Sequence, residues 1–251
     1  MDIDEALVMK NYERISETIR AIGDDKGYLT RIDQLISEVI PFDCETTTSN
    51  FAQNSENLAY AKRLLNLSIN GSCEESTAFN QALDLVLAHE PTFKLAMYAS
   101  KKAMISRQLN QTEKYLGIAL GQSETKNQES EVYLQLAKTM TLKKQKKEAH
   151  NYARQAISKN NSKEAYQLIG NLYMSSFTEC VGEKDIVERR SVFIAAYDQF
   201  KLANDEKNMA LAAAQFPSME EIHFNNYELG QDLIVSCWFN EKVVLDKRAS
   251  N

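Results

Sequence analysis

Tyr133–Met140 reads YLQLAKTM, and Tyr166–Tyr173 reads YQLIGNLY, a step of 33 residues between the two tyrosines. Each stretch leads into a second small-residue helix, with Ala149, Ala153 and Ala156 after the first and Ala196, Phe200 and Ala203 after the second. The offsets are the same in both copies: +3, +4 and +7 on the first helix, +4 and +7 on the second. Such spacings place large residues on one helix face and small ones where a neighbouring helix approaches closely. The chain therefore writes one helix-turn-helix unit twice, and the second copy carries 14 extra residues between its halves.

An aromatic followed by Leu-Gly-like and Tyr positions, then Ala, an aromatic and Ala, resembles the tetratricopeptide repeat. That resemblance implies an all-α fold: a right-handed superhelical solenoid of helical hairpins. Weaker copies precede the two good ones. Phe79, Leu83 and Val86 keep the second-helix spacing; Ala96, Ala99, Ser100 and Ala103, then Thr112, Leu116 and Ala119, keep both. Repeats are expected over about 57–91, 92–127, 130–163 and 164–205, with an insertion at 175–190, after an N-terminal helical segment of 1–54. The insertion predicts a longer first helix, a loop at Cys180–Lys184 and a second helix from near Asp185; function and end-of-array packing both remain open for it.

Composition agrees with helices. The 251 residues include only 8 Gly and 3 Pro, few points at which a helix must break or a turn must take positive φ. Toward the N-terminus, Ala6, Leu7, Met9, Tyr12, Ile15, Ile19 and Ile22 recur at helical spacing, and Leu29, Ile32, Leu35, Ile36 and Val39 repeat the pattern before Pro41. Further helices are expected from Ser55–Glu56 to the Asn70-Gly71 terminator and from Glu74 to His89. At the other end, Glu206–Gln215 predicts a short helix, Ser218 caps a further turn, and Gly230–Phe239 and Val243–Lys247 read as a β-hairpin closing residues 206–251. Trp238, the sole Trp, is its expected packing anchor.

The net charge of −6 and the lack of a basic stripe exclude nucleic acid as the main ligand. No apolar run reaches the roughly 20 residues that span a bilayer, and Met1-Asp2-Ile3-Asp4-Glu5 has no signal-peptide character. The four cysteines, Cys44, Cys73, Cys180 and Cys237, form no Cys-x-x-Cys pair, so a zinc knuckle is not expected. They read as buried free thiols or, in an oxidising compartment, as disulfides, with Cys44 and Cys73 the pair to test first because they flank one predicted hairpin. Lys143-Lys144-Gln145-Lys146-Lys147 is the one dense positive cluster and reads as a solvated turn.

His89, His150 and His223 stand on separate elements without a nucleophile or a ligand partner, and no phosphate loop or metalloprotease motif occurs. Neither an enzyme nor a cofactor is indicated. A binding role is. The non-core positions of three successive first helices are Lys101, Lys102, Gln135, Lys138, Gln167, Asn171 and Met174, the candidate contacts for a peptide or protein partner on a concave face.

On Cys44, Gly71-Ser72-Cys73, the Ala165–Tyr173 helix, the Cys180 insertion, Ala196–Ala203, Phe216-Pro217-Ser218-Met219-Glu220-Glu221-Ile222, Gly230 and Trp238, residues from about Asp43 to Arg248 resemble a family of tetratricopeptide-repeat proteins of bacterial cell envelopes. The resemblance implies a C-terminal portion of a longer exported protein, placed in the periplasm or cell envelope, and no catalytic residues; the residues at face value read as cytoplasmic. A structural role in the envelope, docking through the C-terminal hairpin, is the alternative to partner binding on the concave face. A carboxylate-clamp repeat would carry Lys and Asn where Met97 and Lys101 stand, so that clamp is not expected.

Overall fold

A computed structural model describes residues 4–23, 27–39, 44–69, 77–180 and 184–249. The chain is mostly helical and ends in a two-stranded antiparallel sheet. Its packing divides it into two units, Met1–Leu95 and Ala96–Asn251.

The first unit holds α1 (Glu5–Ile22), α2 (Tyr28–Val39), α3 (Cys44–Gln53), α4 (Leu58–Ile69) and α5 (Thr77–His89). The Asp4 side chain caps α1 by accepting from Leu7 N at 3.0 Å. α4 starts later than Ser55 because Asn57 takes the cap, its Oδ1 accepting from Ala59 N at 2.9 Å. The Asn70-Gly71 stop and the Glu74 start lie outside the described residues. Met9, Ser16 and Ile19 form the inward line of α1, and Phe51, Tyr60, Leu64 and Phe79 are fully or almost fully buried. Leu7, Ile15, Ile22 and Leu35, expected on the packed faces, are exposed instead: the inward line of α1 runs through Met9, Ser16 and Ile19, and α2 buries Ile36 in place of Leu35. Lys62 on α4 reaches Glu13 at 2.6 Å and Glu17 at 3.3 Å on α1, and Glu90 just after α5 at 2.8 Å. Burial lowers its affinity for the proton, yet the hydrogen bonds to Glu13 and Glu90 outweigh it and hold Lys62 above the usual lysine range.

α6 (Phe93–Ile105) leads into the second unit, followed by α7 (Leu109–Gly121), α8 (Lys126–Leu142), α9 (Lys146–Asn160), α10 (Lys163–Met174), α11 (Ile186–Ala203), α12 (Glu206–Ala213), α13 (Met219–Phe224), β1 (Asp232–Ser236) and β2 (Asn240–Val244). α8 packs on α9, and α10 on α11. The doubled pattern is the packed face in both pairs: Leu136, Ala137, Met140, Ala149, Ala153 and Ala156 are buried, as are Ile169, Tyr173, Ala196, Phe200 and Ala203. Gly170 stands where the first copy has Ala137, and a Cβ added there would lie 2.5 Å from Phe200 Cε1. The two copies thus divide the same space differently, small against small in one and Gly against Phe in the other.

The turns also repeat. Gln108 N donates to Ala103 O, Gln145 N to Met140 O and Asp205 N to Phe200 O, each at 2.9 Å, with Arg107, Lys144 and Asn204 at positive φ just before them. These are Schellman endings, in which one left-handed residue lets a final amide reach back to an otherwise unpaired carbonyl. Asn tolerates that conformation better than Lys does. Lys144→Gly is therefore expected to raise stability by about 0.5–1 kcal/mol, the relief of the side chain's steric cost net of glycine's larger unfolded-state entropy; thermal melts of the two proteins measure it.

In the second copy α10 does not lengthen. It stops at Met174 because the Ser175 and Ser176 hydroxyls donate back to Leu172 O, at 2.9 and 2.6 Å. The chain resumes helix at α11, capped by Asp185, whose Oδ1 accepts from Val187 N and Glu188 N at 2.8 and 2.9 Å. α11 buries residues on nearly every side, from Val187 through the run Ser191–Ala196 to Ala203, because α10, α12 and the hairpin all pack on it. Ser218 and Glu221 form the capping box of α13.

The hairpin pairs Asp232 with Val244 through to Ser236 with Asn240. Its turn lies at 237–239, within the first expected strand and not in the gap before Val243, because those three residues are held by the rest of the unit. Cys237 is disulfide-bonded to Cys180, Trp238 Nε1 donates to Ser176 Oγ at 3.0 Å, and the Phe239 ring stacks on Tyr173 with centroids 3.9 Å apart. Val235, Phe239, Val243 and Leu245 are buried in the same core as Ile169 and Phe200. Tyr227 closes the cap by donating to Asp185 Oδ2 at 2.9 Å; burial and that carboxylate push its hydroxyl up to about 12.

Candidate functional site

Among the described residues, three surfaces of the second unit gather polar side chains. One is an open groove of about 510 Å3 between α8 and α10, lined by Lys138, Thr141, Glu164, Gln167, Leu168, Asn171, Leu172 and Ser175. The 3.6-residue period puts Glu164, Gln167, Leu168, Asn171, Leu172 and Ser175 along one stripe of α10 and its end. Lys138 pairs with Glu164 at 3.3 Å across the groove, and Gln167 Nε2 donates to Asp205 Oδ2 at 3.1 Å. Hydrogen bonds from Asn208 hold the Asp205 carboxyl below its usual range. Asn171 is exposed. The groove thus offers an amide and a hydroxyl rim over the partly buried Leu168.

Of the seven residues expected to contact a partner, this groove brings together Lys138, Gln167 and Asn171. Lys101 is exposed on α6 and Lys102 half-buried beside it, Gln135 is half-buried on α8, and none of them belongs to its lining. Met174, the last residue of α10, packs against the core. A second, larger depression of about 680 Å3 lies at the α6–α7 turn between Arg107, Gln111 and Lys143, but Lys143 is already paired with Glu113 at 2.6 Å. Lys146, also from the basic turn, is bound to Glu179 at 2.7 Å and to Ser175 O at 2.9 Å. Two of the four lysines in that cluster therefore brace the fold; Lys144 and Lys147 are exposed.

The third polar gathering lies beneath the hairpin. Glu241 on β2 accepts from Arg154 Nη2 and, at 2.8 Å, from the Tyr173 hydroxyl, both on Oε1. His150 Nε2 lies 2.9 Å from Tyr173 Oη and 3.3 Å from Arg154 Nε, and the His150 ring meets Trp238 edge-on with centroids 5.8 Å apart. Burial, and then the Arg154 guanidinium, hold His150 below the ordinary imidazole range against the opposing pull of Glu241. Burial and the Glu241 carboxylate push the Tyr173 hydroxyl up, and burial raises Asp198. Beyond His150 and Arg154, four residues apart on α9, nothing local in the sequence marks this cluster: Tyr173 lies 23 residues from His150, and Glu241 lies 68 from Tyr173 and 87 from Arg154.

The Cys180–Cys237 disulfide replaces the free-thiol reading of those two cysteines and ties the insertion to the hairpin turn. The Cys44–Cys73 pairing lies outside the described residues. Among the described residues, no group of three or more His, Cys, Asp and Glu could hold a metal ion, and no helix is long and apolar enough to cross a membrane. No protein-family model and no curated protein matches the chain.

Proposed function

We propose that the chain is a non-enzymatic scaffold for protein–protein interaction, built on tetratricopeptide-like hairpins stacked as a right-handed superhelix, and that a peptide or protein partner lies along its first helices. The observation that supports this reading is the α8–α10 groove, where Lys138, Gln167 and Asn171 from two successive first helices share one polar-rimmed, apolar-floored surface. Backbone amides of an extended segment fit an amide and hydroxyl rim, and an apolar side chain fits Leu168 and Leu172. The test is in-cell crosslinking and capture with wild type and with Lys138→Glu/Asn171→Arg. Specific partners should fall at least tenfold in the double variant while its helical circular dichroism is unchanged; full retention of every partner sinks the groove reading.

A second reading, an assembly component of the bacterial cell envelope that docks through its C-terminal hairpin, draws support from the Cys180–Cys237 disulfide. Such bonds persist in oxidising compartments and are rare in the cytosol. The exposed outer face of the hairpin, with Ile234 and Val244, is where such docking would be tested, since Val235 and Val243 belong to the core.

A further inference from the structure

We propose that His150, Arg154, Tyr173 and Glu241 form an acid-sensitive latch, in which protonation of His150 loosens β2 from α9 and α10 while the Cys180–Cys237 bond keeps the hairpin tethered. The geometry carries it. One carboxylate, Glu241, faces two groups that can be cationic, and Arg154 already occupies the same Oε1 atom that Tyr173 uses, leaving His150 Nε2 at 4.0 Å. A neutral imidazole fits there, because its Nε2 lone pair can accept from Arg154 Nε. Adding a proton to that nitrogen ends its acceptance from Arg154 Nε, aims the new donor at Tyr173 Oη, and sets an imidazolium against a guanidinium in a site that is mostly shielded from water. Glu241 can balance one of them. The displaced cation takes with it the polar contacts that tie β2 to α9 and α10.

Each element packed against the ring brings a charged or titratable group: Arg154 on α9, Tyr173 on α10, Glu241 on β2, and, facing Glu241, Asp198 on α11. Asp198 works in the opposite sense. Its raised proton affinity favours the folded state as acid is added, in a window that opens at its raised folded value and is complete below the ordinary carboxylate range. His150 binds its proton more weakly folded than unfolded. Its contribution is therefore complete above the unfolded value of about 6.5 and is lost as pH falls toward the lower folded value, a factor of ten in the opening equilibrium for each unit between them.

Hydrogen exchange of the β1–β2 amides at pH 7.5 and pH 5.0, corrected for intrinsic exchange rates, tests the latch, with the His150→Gln variant in parallel. Wild type should lose several-fold or more protection in the hairpin at pH 5.0 while α8–α11 keep theirs, and His150→Gln should show no such pH difference. Equal loss across the unit, or the same hairpin loss in His150→Gln, overturns the proposal. An NMR titration of the wild-type His150 ring needs no substitution: a midpoint below 6.5 that coincides with the change in Trp238 fluorescence supports the latch, and a midpoint at or above 6.5 overturns it.

Discussion

Removing the Cys180–Cys237 bond is expected to lower the stability of the second unit by as much as about 4 kcal/mol, the chain entropy regained when a cross-link spanning 57 residues is opened. The span is long because the bond joins the insertion after α10 to the hairpin turn, so it encloses α11, α12, α13 and β1. An isolated two-stranded hairpin is marginal in water. Here it contributes Val235, Phe239, Val243 and Leu245 to the core, and the disulfide restricts how far those residues separate from α11 in the unfolded chain. Cys180→Ser/Cys237→Ser is the right comparison, since a reductant would also act on any bond made by Cys44 or Cys73. Urea unfolding followed by Trp238 fluorescence reports directly on the hairpin turn. A midpoint unchanged from wild type would show that the hairpin packs without covalent help.

Phe200→Ala is expected to cost about 3–5 kcal/mol, and Gly170→Ala about 1–3 kcal/mol, but the double variant should cost clearly less than their sum. Phe200 is 1% exposed and its ring fills the space left by the missing Cβ of Gly170, which would otherwise lie 2.5 Å from Cε1. Alanine favours helix over glycine by about 1 kcal/mol, yet the buried ring has little room to yield, so the clash dominates the single change. With both replaced, the second copy acquires the Ala-against-Ala arrangement of Ala137 and Ala153, and the added methyl occupies part of the cavity. A cycle of denaturant-unfolding measurements on the four proteins gives the coupling directly; additive costs would mean that the two positions do not share the space.

That pair also shows what could be read in advance. Gly170 and Phe200 sat at matched offsets with Ala137 and Ala153, and the helical period alone put all four on packed faces. Asp185 and Ser218 were legible as helix starts because a cap is chosen by residues two or three positions away. The strand turn was not, since Cys237, Trp238 and Phe239 favour a strand by type and leave it only because Cys180, Ser176 and Tyr173 hold them. In α1 the apolar residues Ile15 and Ile22 fit a helical pattern as well as Met9 and Ile19 do, and only packing separates the buried from the exposed. For the groove, spacing found Lys138, Gln167 and Asn171 because successive first helices stand side by side; it also proposed Met174, which turns to the core at the helix end. The His150–Glu241 cluster depends on a hairpin returning across the repeat, which no local pattern encodes.

The disulfide also decides what happens when a protease cuts this chain. Cys180 and Cys237 close a covalent ring through the insertion, three helices and the first strand. A single cut anywhere within that ring severs the backbone without separating the two pieces, so a nicked molecule retains both halves of its C-terminal region until the bond is reduced.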